Sequence, residues 1–241
     1  MGKIVVANLK MNMLYNDVLN YLDKLKIENN SNIIICPSNI FIPYFLNHNI
    51  EVGLQNVSEF DIGAYTGEAS ALQARSLGIK YAIVGHSERR LNNNESNTCI
   101  NHKIKAGLKN GLKIILCVGD TLKDKENNNS YNKIKVELLE DLKDIQNLEN
   151  IFIAYEPIWS VSTSINPVVS TPEEIDEMAL YIKKIIKENY GYDDIKVLYG
   201  GSVKTTNIEE INNIDSLSGV LVGGDSLNPE NLMMIGKIVS R

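Results

Sequence analysis

Four residues in this chain have the types and settings for proton chemistry. Glu156 lies in Ala154-Tyr155-Glu156-Pro157-Ile158-Trp159, directly after the apolar run Ile151-Phe152-Ile153. A carboxylate at the carboxyl end of a buried strand is costly unless it is paired or used, and the proline after it cannot extend a sheet, so the chain is expected to turn there. His86 holds a similar place, delivered by Tyr81-Ala82-Ile83-Val84-Gly85 and opening His86-Ser87-Glu88-Arg89-Arg90. Asn8 and Lys10 follow the first apolar run, Ile4-Val5-Val6-Ala7. A base, an electrophilic imidazole and a fixed cation form a usable set for moving protons next to a carbonyl. Strand-to-loop junctions are where parallel α/β proteins place their chemistry.

The elements that must position these groups recur along the whole chain. Apolar strand-like runs occur at 4–7, 33–36, 52–54, 81–84, 113–118, 151–155, 196–199 and 219–222. Most are too apolar to face water on either side, as in a parallel sheet covered by helices. Between them, 17–27 carries Val18, Leu19, Leu22 and Leu25, and 132–145 carries Ile134, Leu138, Leu142 and Ile145, both at helical spacing. Thr171-Pro172-Glu173-Glu174 starts a helix over 173–187, with a Thr cap and Pro at the first position, and Asn228-Pro229-Glu230 repeats that signal. Eight strands alternating with helices, without a linker or composition break, predict a single α/β domain over 1–241, a closed (β/α)8 barrel. An open doubly wound sheet is the runner-up, but residues 8–12 lack the glycine-rich phosphate turn expected after its first strand.

Composition narrows the field. The chain has 241 residues, 44% of them hydrophobic, which suffices for a large core. Its net charge of −6 and pI near 5.2 give no nucleic-acid footprint. The apolar runs fall far short of a membrane span, and the N-terminus enters a strand without a signal-peptide pattern, so a cytoplasmic location is expected. Cys36, Cys99 and Cys117 are odd in number and widely spaced, and read as small hydrophobes in a reducing compartment. His48, His86 and His102 fall into no metal-ligand spacing, so neither a metal nor a cofactor is expected.

Two glycine pairs end the last two strands: Tyr199-Gly200-Gly201-Ser202 and Val222-Gly223-Gly224-Asp225. Glycine lets backbone N–H groups approach a ligand closely. Loops after strands seven and eight are where a barrel of this kind holds phosphate. Ser202, Gly223 and Gly224 are the candidate phosphate contacts.

At this point the motifs, taken in order along the whole chain, resemble the triosephosphate isomerase family. They are Asn8-x-Lys10-Met11-Asn12, Gln55-Asn56-Val57-Ser58, Gly63-Ala64-Tyr65-Thr66-Gly67-Glu68, Gly85-His86-Ser87-Glu88-Arg89-Arg90, the stretch around Glu156, and both glycine pairs. The resemblance implies a (β/α)8 barrel that interconverts dihydroxyacetone phosphate and glyceraldehyde 3-phosphate through an enediolate. It implies Glu156 as base, His86 as a neutral electrophile favoured by its place before a helix start, Lys10 as the fixed cation and Asn8 as a second polar contact. It also implies Ser162, Ser202, Gly223 and Gly224 around the phosphate, and a homodimer formed through the loop 56–71, with Thr66 supporting the neighbour's Asn8 and Lys10. Glu88 is expected to have a mixed role, and Arg89 and Glu68 to make structural ion pairs.

The chain also departs from that family. Ser160-Val161-Ser162-Thr163-Ser164-Ile165-Asn166-Pro167 has serines where the family's lid has glycines, and a longer hinge before Thr171-Pro172. This predicts looser closure. Asp225 stands where a small neutral residue is usual, and is expected to point outward or cap the short helix. Two alternatives to the isomerase reading are an isomerase acting on a related phosphorylated ketose, such as a four-carbon one, and a catalytically silent phosphate-binding homologue. Asn8, Lys10, His86 and Glu156 together weigh against the second.

Overall fold

The computed structural model describes residues 2–26, 32–48, 50–160 and 169–241. Eight strands run in sequence order around a closed parallel barrel: β1 (Ile4–Asn8), β2 (Ile33–Cys36), β3 (Glu51–Leu54), β4 (Tyr81–Val84), β5 (Lys113–Asp120), β6 (Ile151–Pro157), β7 (Lys196–Tyr199) and β8 (Gly219–Val222). β1 closes the ring by pairing with β2 on one side and β8 on the other. Gly219 makes that closure possible, because a Cβ there would stand 2.0 Å from the Ile4 carbonyl oxygen.

Helices lie outside the strands: α1 (Tyr15–Lys24), α2 (Ile42–Leu46), α3 (Ala71–Ser76), α4 (Ser87–Asn92), α5 (Asn97–Lys109), α6 (Leu122–Glu126), α7 (Ser130–Asp141), α8 (Pro172–Tyr190), α9 (Ile208–Asn212) and α10 (Pro229–Val239). Their ends follow local chemistry. Thr171 caps α8 by accepting the Glu174 N–H, and Gly191, at φ 64°, stops it. Asn228 caps α10 through the Glu230 and Asn231 N–H groups. The helix expected over 132–145 stops at Asp141, and Asp144 turns to φ 61°. The helix expected over 17–27 begins earlier, at Tyr15, and ends at Lys24.

Strand alternation divides the core in two. Ile4, Val6, Ile34, Tyr81, Ile83, Ile115, Phe152, Ala154, Leu198 and Leu221 fill the barrel with Cys36 and Cys117. Val5, Ala7, Ile33, Ile35, Ile114, Leu116, Ile153, Val197 and Val222 face the helices. Two-residue steps then decide what reaches the carboxyl end of the lumen: Asn8 after Val6, Glu156 after Ala154, Gly200 after Leu198 and Gly223 after Leu221.

One boundary differs from expectation. β6 continues past Tyr155, with Glu156 opposite Gly119 and Pro157 opposite Asp120. β7 ends its pairing opposite Tyr155, so the proline sits where the ladder has one neighbour only. The turn begins with the next residue, as a 3-10 turn over Ile158–Ser160.

Candidate active site

The four residues singled out in the sequence converge at the carboxyl end of the barrel, in one cleft that also takes in Ser202, Gly223 and Gly224. Glu156 is 2% exposed. Its Oε2 accepts the Ser87 backbone N–H at 3.0 Å, and its Oε1 lies 3.1 Å from His86 Nε2. The strand end of β6 and the entry to α4 thus hold a charged group that burial alone would expel.

His86 is the N-cap of α4, and its Nδ1 accepts the Glu88 N–H at 3.2 Å. A backbone N–H can only donate, so Nδ1 carries no proton. The proton of the neutral ring therefore sits on Nε2, the nitrogen nearer Glu156. The local turn sets the tautomer.

Lys10 adopts φ 52°, a left-handed conformation that costs a non-glycine residue about 1–2 kcal/mol. Three bonds hold it. The Lys10 N–H donates to Asn8 Oδ1 at 3.1 Å, and its carbonyl accepts from Ser38 Oγ and Gln55 Nε2, each at 2.8 Å. Asn8 thereby commits its carbonyl end to shaping the Lys10 loop. Lys10 Nζ pairs with Glu88 Oε1 at 2.5 Å, which makes Glu88 the partner of the cation in this cleft. The ammonium also lies 4.0 Å from where a Cβ on Gly223 would stand, so it reaches the second glycine pair.

Gly200 has a part that the sequence motif did not disclose. A Cβ on it would lie 3.1 Å from Glu156 Cγ and 3.3 Å from the Tyr155 carbonyl. It keeps space for the acid as well as bordering the anion end. Cys117 packs beside Glu156; burial foremost, with the carboxylate beside it, holds its thiol well above the ordinary range. Cys36, inside the same barrel, is pushed up to about 12 by burial. Both behave as protonated core residues.

Sequence reasoning missed Asp120. It is 1% exposed and accepts from Tyr155 OH at 2.9 Å, Trp159 Nε1 at 3.0 Å and Ser130 Oγ at 2.6 Å. It thus anchors the segment that leaves Glu156. The signal was available, since Asp120 ends an apolar strand just as Glu156 does.

Arg89 pairs with Glu95 within the chain at 2.5 Å, and Lys103 meets the same carboxylate. Glu68 is exposed and lines an open hollow beside Lys10. Asp225 lines the cleft instead of turning outward, and its Oδ2 accepts the Thr205 N–H at 2.9 Å instead of capping a helix. A bond across to the neighbouring loop outcompetes the local cap. Ser162, Ser164 and the rest of 161–168 lie outside the described residues. Among the described residues, no group of three or more His, Cys, Asp or Glu side chains is placed to hold a metal ion, and no helix is long and apolar enough to cross a membrane.

Comparison with known proteins agrees with this geometry. The family model described as triosephosphate isomerase matches residues 3–239. The chain is 40% identical to the triosephosphate isomerase of Thermodesulfovibrio yellowstonii, over 98% of each chain. It is 35% identical to that of Alkaliphilus oremlandii, covering 96% of this chain and 97% of the relative. It is 36% identical to that of Flavobacterium psychrophilum, covering 97% and 98%. A barrel with these groups at its carboxyl end and full-length similarity of this degree lead to one conclusion: the chain belongs to the triosephosphate isomerase family.

Proposed function

We propose that this chain is an aldose–ketose isomerase that interconverts dihydroxyacetone phosphate and glyceraldehyde 3-phosphate, a glycolytic step. Glu156 takes a proton from the carbon beside the carbonyl and returns it to the neighbouring carbon. His86 donates its Nε2 proton toward the carbonyl oxygen and moves protons between the two oxygens of the enediolate. Lys10 supplies positive charge to the enediolate and the phosphate, and Asn8 holds the Lys10 loop and borders the oxyanion. Ser202, Gly223 and Gly224 seat the phosphate, with Ser162 as a further contact argued from sequence alone.

One observation carries this reading. The buried Glu156 carboxylate is held by the Ser87 N–H with His86 Nε2 3.1 Å from its other oxygen, while the Glu88 N–H keeps the His86 proton on Nε2. A base and a neutral acid are thus side by side at the cleft floor, where positioned proton transfer contributes about 10²–10⁴-fold. The test is a coupled isomerase assay on three- and four-carbon phosphorylated ketoses. Preference for the three-carbon substrate supports the reading. A higher kcat/KM for the four-carbon one, or no turnover of either, overturns it.

The active unit in this proposal is a homodimer formed through the loop 56–71. Phe60 and Tyr65 stack at 4.0 Å, and Ile62 between them is 80% exposed. Asp61 and Glu59 tie the loop to α5 through Lys109 at 2.6 Å and His102 at 2.9 Å. These exposed apolar side chains suit the hollow beside Lys10, where Met11 and Ile40 are also exposed. The cysteines support a reducing, cytoplasmic location, since all three are free.

A further inference from the structure

Asp225 is an unexpected carboxylate in a cleft that would bind an anion. It follows the second glycine pair directly, and its side chain reaches across to the Thr205 N–H, twenty residues earlier. That is the one side-chain hydrogen bond, among the described residues, between the loop carrying Ser202 and the loop carrying Gly223. Each loop is braced internally: Asn207 Nδ2 donates to the Ser202 carbonyl at 2.8 Å, and Ser226 Oγ to the Gly223 carbonyl at 2.6 Å. Asp225 therefore fixes the spacing between two preformed halves.

The same side chain changes the charge. Lys10 and Lys204 line the cleft, as do Glu88, Glu156 and Asp225. With His86 neutral, two cations face three carboxylates. The cleft is formally negative before any phosphate enters, and Asp225 is the carboxylate on the glycine-pair loop itself. A like charge near a bound anion weakens its binding, most strongly at low ionic strength.

We propose that Asp225 is a positioning and affinity-setting residue of the phosphate seat. Its acceptor oxygen holds the two loops at their working distance, and its charge lowers the affinity for phosphate. The enzyme thus binds phosphate esters less tightly than its backbone geometry allows. Such uniform weakening raises KM with little effect on kcat. This inference rests on the phosphate seat proposed above.

The test compares wild type, Asp225→Asn and Asp225→Ala, titrated calorimetrically with inorganic phosphate at low and high salt. Asn keeps an oxygen for the Thr205 N–H and loses the charge; Ala loses both. Asp225→Asn is expected to bind phosphate at least about threefold more tightly than wild type at low salt, with the gain shrinking as salt screens the charge. Asp225→Ala should bind less tightly than Asp225→Asn, because the loops lose their link. In turnover, Asp225→Asn should lower KM with kcat little changed. If Asp225→Asn binds phosphate no better than wild type, or its gain is indifferent to salt, the role of Asp225 is overturned while the seat stands. If none of the three folded proteins binds phosphate, the seat itself is wrong, and this inference falls with it.

Discussion

His86 Nε2 and Glu156 Oε1 stand 3.1 Å apart, although β4 and β6 are separated by a whole strand of the barrel and by seventy residues of chain. The contact exists because both strands end at the same level of the lumen. His86 sits just past the end of β4, while β6 runs on through Glu156, opposite Gly119 of the long β5. Oε2 accepts the Ser87 N–H, and a carboxylate so held still has lone pairs to take a proton from carbon.

Removing that basicity while keeping the shape should stop the reaction and spare binding. Glu156→Gln is expected to lower kcat by at least about 10²-fold, the low end for loss of a general base, with KM changing far less. A coupled assay measures it, and a variant that keeps more than about a tenth of wild-type activity would refute the assignment of Glu156.

Gly200 tests the position of the base without touching it. In Gly200→Ala the new Cβ would meet Glu156 Cγ at 3.1 Å, tighter than ordinary contact, and the acid must move. Misplacement of a catalytic group by about 1 Å can cost about 10²-fold, and a shift of a few tenths of an ångström should lower kcat by a smaller factor, about threefold or more, while the thermal midpoint changes by only a few degrees. Unaltered kcat would show that the acid does not need this space.

Assembly can be probed at Ile62. Ile62→Asp places a charge on a side chain that is 80% exposed in the single chain, so folding should be unharmed. If this loop docks into a second copy, sedimentation should show a shift toward monomer, and activity at micromolar concentration should fall about tenfold or more. A wild type that sediments as a fully active monomer would contradict the dimer.

Asp141 gives a pH prediction. It is fully buried against Arg90, whose Nη2 lies 2.6 Å from Oδ2, yet burial outweighs that attraction and raises the carboxyl to about 7. The unfolded value is about 3.9. Between these values the native chain holds a proton that the unfolded chain has released, so stability falls as pH rises through that window. Asp141→Asn, which cannot ionise, should flatten this dependence in denaturant titrations at pH 5 and pH 7.5. An equal slope in wild type and variant would show that Asp141 stays ionised throughout.

Much of the site was legible in the chain because its groups announce themselves locally. Glu156, His86, Asn8 and Lys10 each end or follow a short apolar run, and a charged or polar residue there is conspicuous. The eight runs and their intervening helical patterns were likewise enough for a closed (β/α)8 barrel, because alternation and caps are encoded within a few residues. Asp225 and Gly200 were legible as residues but not as roles.

Those roles depend on what lies across a loop or a strand boundary. Gly200 matters because β7 brings it against the Glu156 side chain, and Asp225 because the Thr205 N–H offers a better partner than its own turn. The His86 tautomer came from a single backbone N–H, and the run of β6 through Pro157 from where β7 stops pairing. Local sequence determined which residues could act and which elements carry them, since propensity, capping and periodicity act over a few residues. The tertiary structure alone decided which hydrogen atoms and charges face one another, since those depend on distances between segments far apart in the chain.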